Sequence, residues 1–138
     1  MIHQSNSVQR TESIAADLAA TLTGGQCIAL YGDLGAGKTQ FVRGLVKSLG
    51  GNPRQVSSPT FILLNVYDTP RLTVYHLDAY RIHGPEDFSS IGFWELLEQN
   101  GLVVVEWASK VKQILPPNCI SVEFQILGKT KRSIDINP

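Results

Sequence analysis

The run Gly32-Asp33-Leu34-Gly35-Ala36-Gly37-Lys38-Thr39 carries the strongest chemistry in the chain. It matches G-x-x-x-x-G-K-[ST] at every fixed position, the pattern of a phosphate-binding loop. Each residue type has a physical reason. Glycines let the backbone wrap so tightly that successive N–H groups point inward at phosphate oxygens. A helix opening near Lys38 adds the positive end of its dipole. Lys38 is placed to reach β- and γ-phosphates, and Thr39 to offer its hydroxyl to Mg2+. With glycine near 7% of residues, the four fixed positions match by accident in roughly one chain in 200 of this length. Nucleotide binding is therefore the expectation.

Such a loop needs a second acid on the metal side, usually at the end of a neighbouring buried strand. Glu106 directly follows Leu102-Val103-Val104-Val105. An acid after an all-apolar run is costly unless it is paired or metal-bound. Asp78 closes the run Leu72 to Leu77 and is its rival. Glu106 is preferred for the metal; Asp78 is left to orient or activate a water, or to hold the metal through one. Thr60, after Ser58-Pro59, reads either as a mobile-loop residue that senses a γ-phosphate or as a turn residue before a strand. Trp107 is either plain core or a cover over the site. His76 and His83 read as structural, and no Cys/His spacing suggests zinc.

The elements that must position these residues are legible in outline. Thr11 is expected to cap a helix from Glu12, with Ile14, Leu18 and Leu22 on one face and Gly24-Gly25 as its stop. Cys27 to Tyr31 reads as a buried strand leading into the glycine loop. The helix after the loop turns Phe41, Val42, Leu45, Val46 and Leu49 inward and stops at Gly50-Gly51. Phe61 to Tyr67 and Leu72 to Leu77 flank the turn Asp68-Thr69-Pro70-Arg71, so they must pair antiparallel. Gly84 to Leu97 is helical in pattern, with a break at Gly92. Leu102 to Val105, apolar at every position, reads as a central parallel strand. Cys119–Leu127 and Lys131–Ile136 form a closing hairpin around Gly128-Lys129. The predicted class is α/β: a P-loop NTPase-like mixed sheet, parallel at its centre and antiparallel at its margins, flanked by helices.

Composition bounds the rest. The chain has 138 residues, which suits one P-loop domain over 1–138. Apolar residues make up 43% and charged residues 17%, enough core to exclude bulk disorder. Lys+Arg 12 against Asp+Glu 12 gives zero formal charge, which excludes a surface that grips nucleic acid by electrostatics alone. DNA is not an expected partner. No apolar run nears the roughly 20 residues of a membrane span, and the N-terminus lacks the pattern of a signal peptide. Cys27 and Cys119 lie in apolar runs and read as buried reduced thiols, consistent with a cytoplasmic protein.

The sequence holds neither the N-K-x-D element that reads guanine nor a D-x-x-G switch. ATP is favoured over GTP on that ground. A small-molecule kinase would need a substrate pocket and a lid, for which little chain is left.

Four segments, in order and spacing, resemble the TsaE (YjeE) family, the ATPase needed for the threonylcarbamoyladenosine modification of tRNA. They are Tyr31 to Thr39, Ser58-Pro59-Thr60-Phe61, Tyr75-His76-Leu77-Asp78-Ala79-Tyr80-Arg81 and Val105-Glu106-Trp107. The resemblance covers nearly the whole chain, and its H-x-D-x-Y-R and E-W elements are more specific than the phosphate loop. It implies that Asp33, Leu34, Gly35, Ala36, Gly37, Lys38, Thr39 and Gln40 surround the nucleotide, ATP as substrate and ADP as product. Thr39 and Glu106 would hold Mg2+; Asp78, with Lys38 and Glu106, would serve hydrolysis. Ser58-Pro59-Thr60 would be the switch-like loop. Thr11, Gly128 and Lys129 would lie near the nucleotide, and Arg81 would be a finger or a brace for Asp78. Gln40 stands where a second threonine is common, and Ala108-Ser109 where a Pro-acid pair is common. The implied partners are the threonylcarbamoyl transferase subunit and its inactive paralogue, with tRNA reached mainly through that complex. Hydrolysis would be slow alone and gated by the partners. A kinase and a binding module without hydrolysis are the alternatives.

Overall fold

The structure is a computed structural model, which describes residues 1–33, 35–58, 63–80, 82–83 and 85–138. Its centre is a seven-stranded sheet in the order β1-β7-β6-β2-β5-β4-β3. The strands are β1 (Ile2–Ser5), β2 (Cys27–Tyr31), β3 (Leu64–Tyr67), β4 (Val74–Asp78), β5 (Leu102–Glu106), β6 (Ile120–Ile126) and β7 (Arg132–Asn137). β6, β2, β5 and β4 run parallel; β1–β7, β6–β7 and β3–β4 are antiparallel. This is the expected mixed sheet. Its helices are α1 (Val8–Ala19), α2 (Lys38–Ser48), α3 (Pro85–Ser90) and α4 (Phe93–Leu97), with a 3-10 stretch over Ala108–Ile114.

Strand alternation divides the core. On β5, Leu102 and Val104 join Ile28, Leu30, Val74 and Val122 under α1 and α2. Val103 and Val105 face the other way, with Cys27, Ala29, Leu77, Phe93 and Val111. The period of two then puts Glu106, His76 and Asp78 on the α2 face, the side on which the phosphate loop lies. Phe41, Val42 and Leu45 of α2, and Leu49 that caps its end, are all buried there, as their spacing predicts.

Several boundaries differ from expectation. α1 begins at Val8, capped by Ser7, whose extended backbone (φ −156°, ψ 160°) lets its hydroxyl accept from Arg10 N–H. Thr11 is thus not the cap. It is already inside the helix and turned inward, its Oγ1 2.8 Å from Ser5 Oγ. α1 stops at Ala19, before Gly24-Gly25; those glycines, at φ 115° and 83°, instead shape the entry to β2. β1 was not legible: Ile2-His3-Gln4-Ser5 has no apolar run, and β7 recruits it as an edge strand. Gly92 does break the helical segment, at φ 85° before α4. Cys27 is buried and Cys119 half-buried, and both are free thiols. Among the described residues no helix is long and apolar enough to cross a membrane.

Candidate nucleotide and metal site

β2 delivers the chain into the glycine loop and α2 carries it away. Gly35 (φ 81°) and Gly37 (φ 103°) hold left-handed backbone, which glycine adopts without steric cost. A Cβ built on either meets nothing within 4 Å, so the loop's inner surface is open. Gly37 precedes α2 with no side-chain cap, leaving the first amides of this helix for another acceptor. The Asp33 carbonyl accepts from Ala36 N–H at 3.1 Å and tightens the turn. Leu34 lies outside the described residues.

Lys38 is buried, its Nζ donating to the Gly32 carbonyl at 2.5 Å and lying 3.6 Å from the centre of the Trp107 ring. Burial pushes its ammonium below the usual lysine value, while Glu106, Asp78 and Asp33 pull the other way. An ammonium has three donors, so two remain for phosphate oxygens. Trp107 lines the cleft beside Lys38 and also packs on the core cluster beneath β5, so it has a share in both. Its own backbone is left-handed (φ 55°), a conformation that costs of order 1–3 kcal/mol outside glycine and is held only by its surroundings. Tyr80 packs on it, ring centres 4.9 Å apart.

The two acids end adjacent parallel strands in direct register, Asp78 beside Glu106. Both are buried. Asp78 Oδ1 accepts from Tyr80 N–H at 2.8 Å. Asp78 Oδ2 has no hydrogen-bond partner among the described residues, a costly condition for a buried carboxylate oxygen. Glu106 Oε2 is bonded by His76 Nε2, and His76 Nδ1 lies 3.0 Å from Tyr67 Oη. His76, the first residue of the H-x-D-x-Y-R element, is thus bonded to Glu106, a contact that its reading as a structural histidine did not specify. His83 is exposed, with its N–H on Asp87 Oδ2.

Two clefts meet at the loop. One, of about 320 Å³, is lined by Lys38, Thr39, Ser58, Glu106 and Trp107. The other, of about 290 Å³, is lined by Ser5 to Val8, Thr11, Lys129, Thr130 and Arg132. Gly35, Gly37 and Gln40 line both. Thr11 and Lys129 thus line a cleft together with Gly35, Gly37 and Gln40 of the loop and the start of α2. Gly128 does not line that cleft; its carbonyl accepts from Arg132 Nη1 at 2.9 Å. Arg132 escaped sequence reasoning: its Nη2 reaches the Gly35 carbonyl at 3.2 Å across 97 positions of sequence, which no local pattern records. Ser58 borders the cleft that Glu106 and Lys38 line, whereas Pro59, Thr60 and Arg81 lie outside the described residues.

These residues fit a nucleotide and its divalent ion. The open loop, the uncapped amides of α2 and the orphaned Asp78 oxygen all face needs that a phosphate, an ion or a bound water would meet. Among the described residues no cluster of three His, Cys, Asp or Glu could hold an ion unaided. Thr39 and Glu106 as protein ligands, completed by phosphate and water, suit Mg2+, which keeps several waters.

Strand, glycine loop, helix and an acid on the adjoining parallel strand define a protein of the P-loop class. The model of the TsaE family, threonylcarbamoyl adenosine biosynthesis protein TsaE, matches residues 5–134. The chain belongs to this family. It is 40% identical over 136 residues to the tRNA threonylcarbamoyladenosine biosynthesis protein TsaE of Rickettsia prowazekii, covering 99% of this chain and 94% of that one. The Treponema pallidum protein of the same name is 39% identical over 132 residues, 96% of each chain. The crystal structure of Bacillus subtilis YdiB superposes with a TM-score of 0.78 at 28% identity, over 97% of this chain and 82% of that chain.

Proposed function

We propose that this protein is an Mg2+-dependent ATPase that serves the threonylcarbamoyladenosine modification of tRNA. The observation that carries the reading is the acid pair Asp78 and Glu106, in register on β4 and β5 and facing Lys38 beside an open phosphate loop. Family membership supports the pathway.

Catalysis would rest on positioning and charge. The loop amides and Lys38 hold the β- and γ-phosphates. Thr39 and Glu106 would hold Mg2+, which would supply positive charge to neutralise the phosphate oxygens. Asp78 Oδ2 accepts a hydrogen bond from the attacking water and aims it at the γ-phosphorus. The new bond forms from the water oxygen to phosphorus. The bond from phosphorus to the β–γ bridging oxygen breaks, its electrons leave with ADP, and the water proton passes through Asp78 to solvent. The nucleoside would lie across Gly35 and Gly37 toward Thr11 and Lys129. The partners would be the threonylcarbamoyl transferase subunit and its inactive paralogue, completing a site that is slow alone. Zero formal charge suits a protein that docks on proteins and leaves most tRNA contact to them.

Phosphate release from Mg·ATP tests this, first with the protein alone and then with both partners and tRNA. Slow release alone and a rise with partners, lost in Lys38→Ala, is expected. Equal rates with and without partners would overturn the gating, and phosphate on an acceptor instead of in solution would overturn hydrolysis.

A further inference from the structure

The Glu106 carboxylate does not stand by itself. Its Oε2 is bonded by His76 Nε2; His76 Nδ1 meets Tyr67 Oη at 3.0 Å; and Tyr67 Oη meets the backbone of Ser57, 3.1 Å from its carbonyl and 3.3 Å from its N–H. Asn65 Nδ2 donates to the same carbonyl at 3.1 Å. The chain of contacts runs through the core: His76 is 0% exposed, Glu106 3% and Tyr67 4%.

Either protonation state of the imidazole keeps this chain partnered. A neutral ring donates from Nε2 to the carboxylate and accepts at Nδ1 from the tyrosine. A charged ring donates at both nitrogens, and the tyrosine proton turns to the Ser57 carbonyl. Burial pushes the Tyr67 phenol above its usual value, so it remains a neutral hydroxyl in either case. An apolar side chain at position 76 would sit in register between Asn65 and Val104 at less risk, because a buried polar chain is costly wherever one link is missing. The neighbouring acid is held differently: Asp78 is fixed through Oδ1 by backbone alone and has Oδ2 unpartnered. One carboxylate is clamped by side chains that reach the backbone before Ser58, and the other is not.

We propose that Tyr67 and His76 are positioning residues for Glu106, a buried strut from the Ser57 backbone that fixes one carboxylate oxygen so that the other is aimed at the metal. The proposal rests on the reading of Glu106 as the metal-side acid. The strut spares Glu106 a choice among rotamers at the moment of ion binding, and it ties that carboxylate to the segment bordering the cleft at Ser58.

The test is calorimetric binding of a non-hydrolysable β,γ-imido analogue of ATP, with Mg2+ and with EDTA, to the parent, Glu106→Gln, Tyr67→Phe and His76→Gln. Tyr67→Phe keeps the ring and its volume, so it decides the matter should His76→Gln fail to fold. Expected are a collapse of the Mg2+-dependent gain in Glu106→Gln and a loss of about 5- to 10-fold in that gain in Tyr67→Phe, the scale of one buried hydrogen bond. Affinity in EDTA is unchanged in Tyr67→Phe. An unchanged gain in Tyr67→Phe beside a collapse in Glu106→Gln would overturn the strut and leave Glu106 as the metal-side acid. Equal weakening of Tyr67→Phe with and without Mg2+ would reduce the chain to packing and also overturn it. An unchanged gain in Glu106→Gln would remove the metal-side reading, and the strut with it.

Discussion

Asp78 and Glu106 end neighbouring strands side by side, and their remaining valences differ. Asp78 keeps one oxygen for a backbone N–H and one with no partner, which suits a group that must hold a water. Asp78→Asn preserves the acceptor for Tyr80 N–H and removes the charge. Single-turnover hydrolysis in this variant is expected to fall at least about 100-fold, the scale of a lost acid–base group, with calorimetric nucleotide affinity retained. Lys38 presents the opposite bargain. Burial disfavours its charge, so the folded state holds the ammonium at a cost. Lys38→Met removes that cost along with the function. It is expected to abolish nucleotide binding and to melt no earlier than the parent, the usual trade at a functional site; earlier melting would show that the Gly32 bond and the Trp107 contact outweigh desolvation.

At the scale of elements, Gly44 of α2 lies directly against the backbone of α1. A Cβ there would stand 2.7 Å from Glu12 Cα and 2.8 Å from Ala15 Cβ, a conflict with helix backbone that no rotamer relieves. In a free helix, Gly→Ala gains about 1 kcal/mol. Here Gly44→Ala is expected to lose about 1–3 kcal/mol net, as overpacking does, read from the denaturant midpoint. The same shift would move Thr11 and the cleft it lines on α1, so nucleotide affinity should fall as well.

At the scale of the whole molecule, the site joins segments from both ends of the chain: Ser5 to Thr11, the loop on β2 and α2, the acids on β4 and β5, and the β6–β7 turn. A ligand that spans them binds only the folded state. Mg·ATP analogue at 100 times its dissociation constant should therefore add about 2.7 kcal/mol of stability. The expected readout is a rise of several degrees in the melting midpoint, reduced by EDTA and absent in Lys38→Met.

Local chemistry made the larger part of this protein legible in its sequence. The phosphate loop, the parallel strand Leu102 to Val105 and the helix from Lys38 declare themselves because glycine conformation, strand burial and helical spacing are properties of neighbouring residues. Asp78 and Glu106 could be proposed for the same reason, Glu106 standing at the end of an all-apolar run and Asp78 at the end of a strand. The tertiary structure alone decided what depends on distant partners. It turned Thr11 from a cap into a wall of the second cleft, and it recruited Ile2–Ser5 as a strand because β7 offered it an edge. It also brought Arg132 to Gly35 and set Trp107 over Lys38. His76 shows the division most plainly. Its place in the H-x-D-x-Y-R element marks the residue but not its partners, and only the register of β4 against β3 and β5 sets its ring between Tyr67 and Glu106.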